Sequence, residues 1–211
     1  MKRFGISGET IYGISIPEVR SLAKETGLNH ELAIGLWKSD VHEARILASM
    51  IDDPRLVTPG QMEEWVRDFD SWDLCDQCCG NLFDKTEFAY AKAREWSTRK
   101  AEFEKRAGFA LMAELAVHDK KTGDKEFLKF LAIIQKKGGG DDRNFVKKAV
   151  NWALRQIGKR NSQLNVAAVA VALRLLEKND LPAAKWIATD ALRELRSDSV
   201  QKKLKRKART S

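Results

Sequence analysis

The sequence predicts an all-α fold built from paired helices of the size found in HEAT-like repeats, a helical-repeat solenoid. Three observations carry this. Only four prolines occur in 211 residues, and each stands at or near a turn or the start of a periodic apolar run. No stretch keeps up the alternation, rich in β-branched residues, that a strand needs. The apolar runs are 10 to 18 residues long and are joined by links as short as Asp119 to Gly123 and Gly138 to Asp142. Two such helices and a link make roughly 35 to 45 residues, the length of one repeat unit. An ordinary globular bundle would satisfy the same lengths.

Taken in order, Ser15 with Pro17 opens an apolar pattern that Gly27 ends. Thr58-Pro59 with Gln61 is a capping-box pattern ahead of Trp65, Val66 and Phe69. Ser71 precedes the run from Trp72 to Phe83, and Thr86 precedes one ending near Ser97. Further helices are predicted over 102–118, 125–137, 143–159, 162–178 and 183–196, with a short one after Asp198. The segment 162–178 is apolar nearly all round, from Val166 to Leu173, and reads as a helix packed on several sides. Gly138-Gly139-Gly140 reads as a hinge. Residues 1–200 are expected to form one domain, followed by a basic tail, 201–211, that has lost its apolar partners and is expected to be loose.

Composition narrows the function. Apolar residues make up 43% and charged residues 32%, which excludes a disordered chain and a membrane protein. The longest apolar run is eight residues, against roughly 20 for a bilayer-spanning helix. No basic-then-apolar leader opens the sequence, and three cysteines clustered at 75, 78 and 79 fit a reducing compartment, so a cytoplasmic protein is expected. The net charge is +8, unevenly spread: residues 142–211 hold 17 Lys or Arg against six acids. Such a basic third is the electrostatic footprint of a protein that meets phosphate, though a basic surface with a loose tail has the same composition.

Three helices carry candidate chemistry. After Ser71, residues Trp72, Asp76, Cys79, Gly80 and Phe83 share one stripe, while Leu74, Cys78 and Leu82 share another better suited to the core. An aromatic ring and a carboxylate one turn apart can face one ligand. Taken alone, the pattern is better explained by Trp72 in the core and Asp76 as a solvated or first-turn acid. Over 143–159, a core face of Val146, Ala149, Val150, Ala153, Leu154 and Ile157 is backed by a stripe of Lys148, Trp152, Arg155 and Lys159. A tryptophan within a basic stripe suits phosphate contact plus packing against a sugar or base. It also suits a partly buried structural ring. Over 102–118, Arg106 has small neighbours in Ala107, Ala110 and Ala113, which would leave its guanidinium accessible to clamp a phosphate; a buried ion pair is the alternative. Trp72 to Arg106 spans 34 residues and Arg106 to Trp152 spans 46, each about one repeat, so equivalent helices could present all three on a shared surface.

Other motifs carry less. Cys75-x-x-Cys78-Cys79 has no second Cys or His pair at zinc spacing, so no metal site is expected. His30, His42 and His118 share no motif and read as surface or structural residues. The glycine triplet lacks the strand and the Gly-Lys-Ser/Thr of a phosphate loop.

Longer segments carry a resemblance. Tyr12-Gly13-Ile14-Ser15-Ile16-Pro17-Glu18-Val19-Arg20, Leu36-Trp37-Lys38-Ser39, His42-Glu43-Ala44-Arg45, Phe69 to Asp76, and Lys147 to Arg155 are similar to the DNA alkylation repair enzyme family, the HEAT-like-repeat alkylpurine DNA glycosylases. The resemblance runs from about residue 12 to 196. It departs at Ser71, where some members carry a second tryptophan. It implies an α-helical superhelix with a basic concave groove, whose catalytic residues fall on Trp72, Asp76, Arg106 and Trp152. Phosphate contacts would fall to Lys148, Arg155, Lys159, Arg160 and Arg193. The implied activity is hydrolytic release of N3- or N7-alkylated purines from double-stranded DNA by a monomer, with no metal, no small-molecule cofactor and no membrane. Two other readings stand beside it: a non-catalytic DNA-binding module for damaged or branched DNA, and a helical scaffold for a protein partner.

Overall fold

The computed structural model describes residues 10–177 and 181–210. Among these are twelve α-helices and two short 3₁₀ turns, and the only extended pairing is an isolated bridge between Thr10 and Val41. No described helix is long and apolar enough to cross a membrane. The chain divides into two compact units, Met1–Tyr90 and Ala91–Ser211, with the boundary inside α6.

The first unit holds α1 (Ile16–Thr26), α2 (His30–Trp37), α3 (His42–Ile51), α4 (Pro59–Arg67) and α5 (Trp72–Asn81), then a 3₁₀ turn at Phe83–Lys85. The predicted caps operate. The N–H and hydroxyl of Ser15 both donate to the Glu18 carboxylate, at 2.9 and 2.7 Å, and Gly27 ends α1 at a φ of +70°, where a side chain would be strained. Thr58 Oγ1 accepts from the Gln61 N–H at 3.1 Å at the start of α4. The core is aromatic: Trp37 and Trp65 stack at 3.9 Å, Phe69 and Phe83 tilt against them at 6.2 Å, and the two phenylalanine rings lie 6.4 Å apart. Burying side chains of this size contributes roughly 1.5–3 kcal/mol each. Trp37 Nε1 donates to Asp68 at 2.8 Å, so its polar edge is satisfied. Helix α3 lies against α1, α2 and α5 and is the hub of the unit.

Helix α6 (Ala89–Trp96) leads into the second unit, which holds α7 (Glu102–His118), α8 (Asp124–Lys137), α9 (Asn144–Gly158), α10 (Ser162–Leu176), α11 (Pro182–Leu195) and α12 (Asp198–Thr210). Helices α7, α9 and α11 pack side by side in one row; α8 and α10 back them, and α12 closes against α10 and α11. Two rows of paired helices are the arrangement the lengths predicted. Gly108 permits the closest approach: a Cβ there would lie 2.2 Å from the Ser97 backbone nitrogen.

Three expectations change. The glycine triplet is a packing point rather than a hinge: Gly138 and Gly139 are buried, and a Cβ on Gly139 would lie 2.6 Å from that of Ala184 on α11. Helix α10 is buried along Leu164, Ala168, Val171, Ala172 and Leu175, but Val166 is 70% and Leu173 40% exposed, so one side is open. The tail expected to be loose from Gln201 continues α12 to Thr210, because Val200 and Leu204 supply the buried partners that a reading starting at residue 201 divides.

Candidate functional site

In the first unit the candidate residues stand on α5. Ser71 is its N-cap and is wholly buried; Leu74, Cys75, Cys78 and Cys79 are buried as well. Trp72 and Asp76 are half-buried on the remaining face, one turn apart. The division into two stripes is thus close to that predicted, except that Cys79 faces the core. The cysteines are not joined in disulfides. Burial first, and the neighbouring Cys75 second, push the thiols of Cys78 and Cys79 well above the ordinary thiol range, so they are inert apolar filler under the helix.

What fixes α5 was not visible in the sequence. His42, at the start of α3 and 5% exposed, meets the Asp73 carboxylate at 2.9 Å through Nε2. Its neighbour Glu43 accepts the N–H groups of Tyr12 at 3.1 Å and Gly13 at 2.6 Å, and Gly13 takes a φ of +80°. Burial opposes a charge on His42. The hydrogen bond and charge of Asp73, with the charges of Glu43 and Asp70, outweigh it and raise the imidazole pKa. Burial likewise acts to raise Asp73, but His42 pulls it below the usual carboxylate range. This ion pair joins α3 to the first turn of α5, one residue from Trp72 and three from Asp76. A histidine that shares no motif gave no sign of it; only the adjacent Glu43 and the spacing of 31 residues to Asp73 could have suggested a partner.

In the second unit α9 bears out the predicted division into two faces. Val146, Ala149, Val150, Ala153, Leu154 and Ile157 are all buried. On the other stripe Lys148 is exposed, and Trp152, Arg155 and Lys159 are half-buried. Asn151 donates to the Ile187 carbonyl at 3.1 Å and ties α9 to α11. The cations are not equivalent. Arg155 and Lys159 both pair with Glu194 of α11, Lys159 at 2.6 Å, and Arg193 pairs with Asp190 on its own helix. These acids partly neutralise the stripe. Burial acts to raise the pKa of Glu194, but the hydrogen bond of Lys159, with the charges of Arg155 and Lys159, outweighs it and lowers the pKa. Trp186 of α11 is 41% exposed with Lys147 Nζ at 5.9 Å from its ring, a second aromatic-basic contact that the sequence reading passed over.

Two candidates do other work. Arg106 is 5% exposed, not accessible, and its guanidinium donates to the Phe145 carbonyl at 2.6 Å. It anchors the first turn of α9. The small residues beside it let helices close over it rather than leaving it open. Arg160, expected on phosphate, is turned inward: it donates to the carbonyls of Ala116 at 3.0 Å, Asp119 at 2.5 Å and Thr122 at 3.2 Å, and lies 3.8 Å over the Phe127 ring. It caps the C-terminal carbonyls of α7, which have no partner within their own helix.

Comparison with known proteins places this geometry. The sequence profile of the family described as DNA alkylation repair enzyme matches residues 1–195. A solved structure described as "A new family of proteins related to the HEAT-like repeat DNA glycosylases with affinity for branched DNA structures" superposes with a TM-score of 0.73, covering 82% of this chain and 77% of that one at 20% identity. No curated protein matches. The superposition shows the fold to be that of the HEAT-like repeat proteins. With the family profile spanning nearly the whole sequence, the chain belongs to the DNA alkylation repair enzyme family.

Proposed function

We propose that the protein is a monofunctional DNA glycosylase that hydrolyses the N-glycosidic bond of cationic N3- or N7-alkylated purines in double-stranded DNA. The observation that carries the reading is Asp76, a carboxylate one helical turn from Trp72 on a face of α5 that the core does not consume, in a family of DNA alkylation repair enzymes. A protein that only holds phosphate gains nothing from a carboxylate beside an indole ring.

The chemistry follows from the substrate. An alkylated purine already carries positive charge, so it departs without protonation by a general acid. The barrier lies in the cationic charge that develops on the deoxyribose. Asp76 offsets that charge and orients the attacking water, and the electron-rich face of Trp72 packs against the sugar. Trp152, flanked by Lys148, meets DNA by packing and phosphate contact. Arg106 acts at a remove, holding α9 through Phe145. The residues carried over from the family include no lysine nucleophile, so the product is free base and an intact strand.

The test is direct. Duplex DNA carrying 7-methylguanine is incubated with the protein and released base is measured; no release above the spontaneous rate removes the enzymatic claim. Asp76→Asn is expected to slow release by about 10²–10³ with DNA affinity retained.

A second reading has its own support. The solved relative has affinity for branched DNA structures, and 20% identity leaves room for a binding module without turnover. That reading expects junction DNA to bind more tightly than linear duplex, with affinity falling steeply with salt, and no base released.

A further inference from the structure

We propose that the second unit carries a further phosphate-binding cleft, beyond the C-terminal end of α9, that takes the sugar-phosphate backbone of a DNA strand. This rests on the reading of the chain as a DNA-binding protein and deepens it.

The cleft has a volume of about 1290 Å³ and lies among the α7–α8 link, the end of α9, the start of α10 and α12. Six cations line it, Lys120, Lys121, Lys159, Arg160, Lys203 and Lys207, against two carboxylates. Both acids are engaged: Glu194 with Arg155 and Lys159, and Asp124 with the Asn161 amide at 2.9 and 3.0 Å. Several of the cations bond neutral carbonyls, which leaves their charge in place. Lys207 Nζ donates to the carbonyls of Lys159 and Arg160 at 2.9 and 3.2 Å, and Lys120 to that of Val117. The negative ends of α7 and α9 are therefore covered by cations. The starts of α8 and α10, with Gly123, Asp124, Asn161 and Ser162, also line the cleft and add their positive ends. Lys207 feels the result: burial, then the charges of Lys120, Arg160 and Lys203, lower its pKa.

Shape selects the kind of anion. The volume exceeds the roughly 300–1,000 Å³ of pockets fitted to one small ligand. The exposed cations Lys120, Lys121, Lys203 and Lys207 are long and flexible, suited to tracking a backbone rather than to fixing one phosphate. The cleft is also continuous with the α9 stripe, since Lys159 belongs to both; from Lys148 to Lys159 is about 16 Å along the helix. A strand whose phosphates meet Lys148 can run on into the cleft.

The test uses the full chain and Lys121→Ala/Lys203→Ala, which leaves the caps of α7 and α9 intact. Affinity for linear duplex and for a four-way junction is read by fluorescence anisotropy across a salt series. The slope of log Kd against log salt is expected to fall by about 1.5, two contacts at roughly 0.7–0.9 each. An unchanged slope on both DNAs, in a variant with wild-type helicity by circular dichroism, overturns the cleft, as it would if an acidic protein or a membrane were the true partner. Lys121→Gln/Lys203→Gln serves the same purpose should the alanine pair lose helicity. Failure of the glycosylase reading looks different: the wild type releases no base, while the slope comparison still decides the cleft.

Discussion

His42 and Asp73 hold the first turn of α5 through one buried contact of 2.9 Å, and the carboxylate proposed for catalysis lies one turn further along that helix. The contact makes α5 sensitive to pH in a defined direction. The imidazole pKa is raised above 6.5 by Asp73, Glu43 and Asp70 despite burial, so its stabilisation is complete below 6.5 and is lost as pH rises through the raised value. The Asp73 pKa is lowered, so its share is present above the ordinary carboxylate range and is lost as pH falls through the depressed value. Between these limits the pair is intact. His42→Asn is expected to cost about 1–3 kcal/mol near pH 6, the usual cost of leaving a buried acceptor unmatched. Urea midpoints at pH 6 and 8.5 check this: the wild type should lose stability between the two, and His42→Asn should lose much less. Equal pH dependence in both proteins would mean that the pair does not hold the helix.

At the scale of elements, what the sequence revealed and what it hid differ for a physical reason. Helices α1, α4, α7, α9 and α11 were legible because caps and periodicity are local: Ser15, Pro17, Gly27, Thr58 and the six-residue core face of α9 act within a few positions of themselves. The division of α5 and α9 into two faces was legible on the same ground. The roles of Arg106 and Arg160 were not, because each is set by carbonyls 38 to 45 residues away that no local pattern announces. In the sequence Lys159-Arg160 is a basic pair; in the fold its second member closes the end of α7. Arg160→Ala should therefore lower stability by about 2–3 kcal/mol, the contribution of hydrogen bonds from a charged donor to several carbonyls at one helix end. It should change the salt slope of DNA binding far less than loss of an exposed lysine. A weakened slope with unchanged urea midpoint would return Arg160 to the phosphate contacts that the sequence suggested.

For the whole molecule, the division into two units is also a division of charge. Residues 1–90 hold nine Lys or Arg against 16 acids, and residues 91–211 hold 29 against 14. A net charge of +8 thus joins an acidic unit that carries Asp76 to a strongly basic one that carries Trp152. Phosphate attraction must come from the second unit, because the first repels a polyanion at any distance the ionic atmosphere does not screen, about 10 Å at 0.1 M salt. The arrangement suits the proposed chemistry: a carboxylate that must offset a transient cation keeps its effect better in a unit of net negative charge. Lys148 of the second unit and Lys24 of the first are both exposed, so they compare the two units fairly. Lys148→Ala should lower the slope of log Kd against log salt by about 0.7–0.9, the loss of one phosphate contact, and Lys24→Ala should leave it unchanged. Equal effects from the two lysines would place DNA on both units alike and would remove the argument that affinity and chemistry are divided between them.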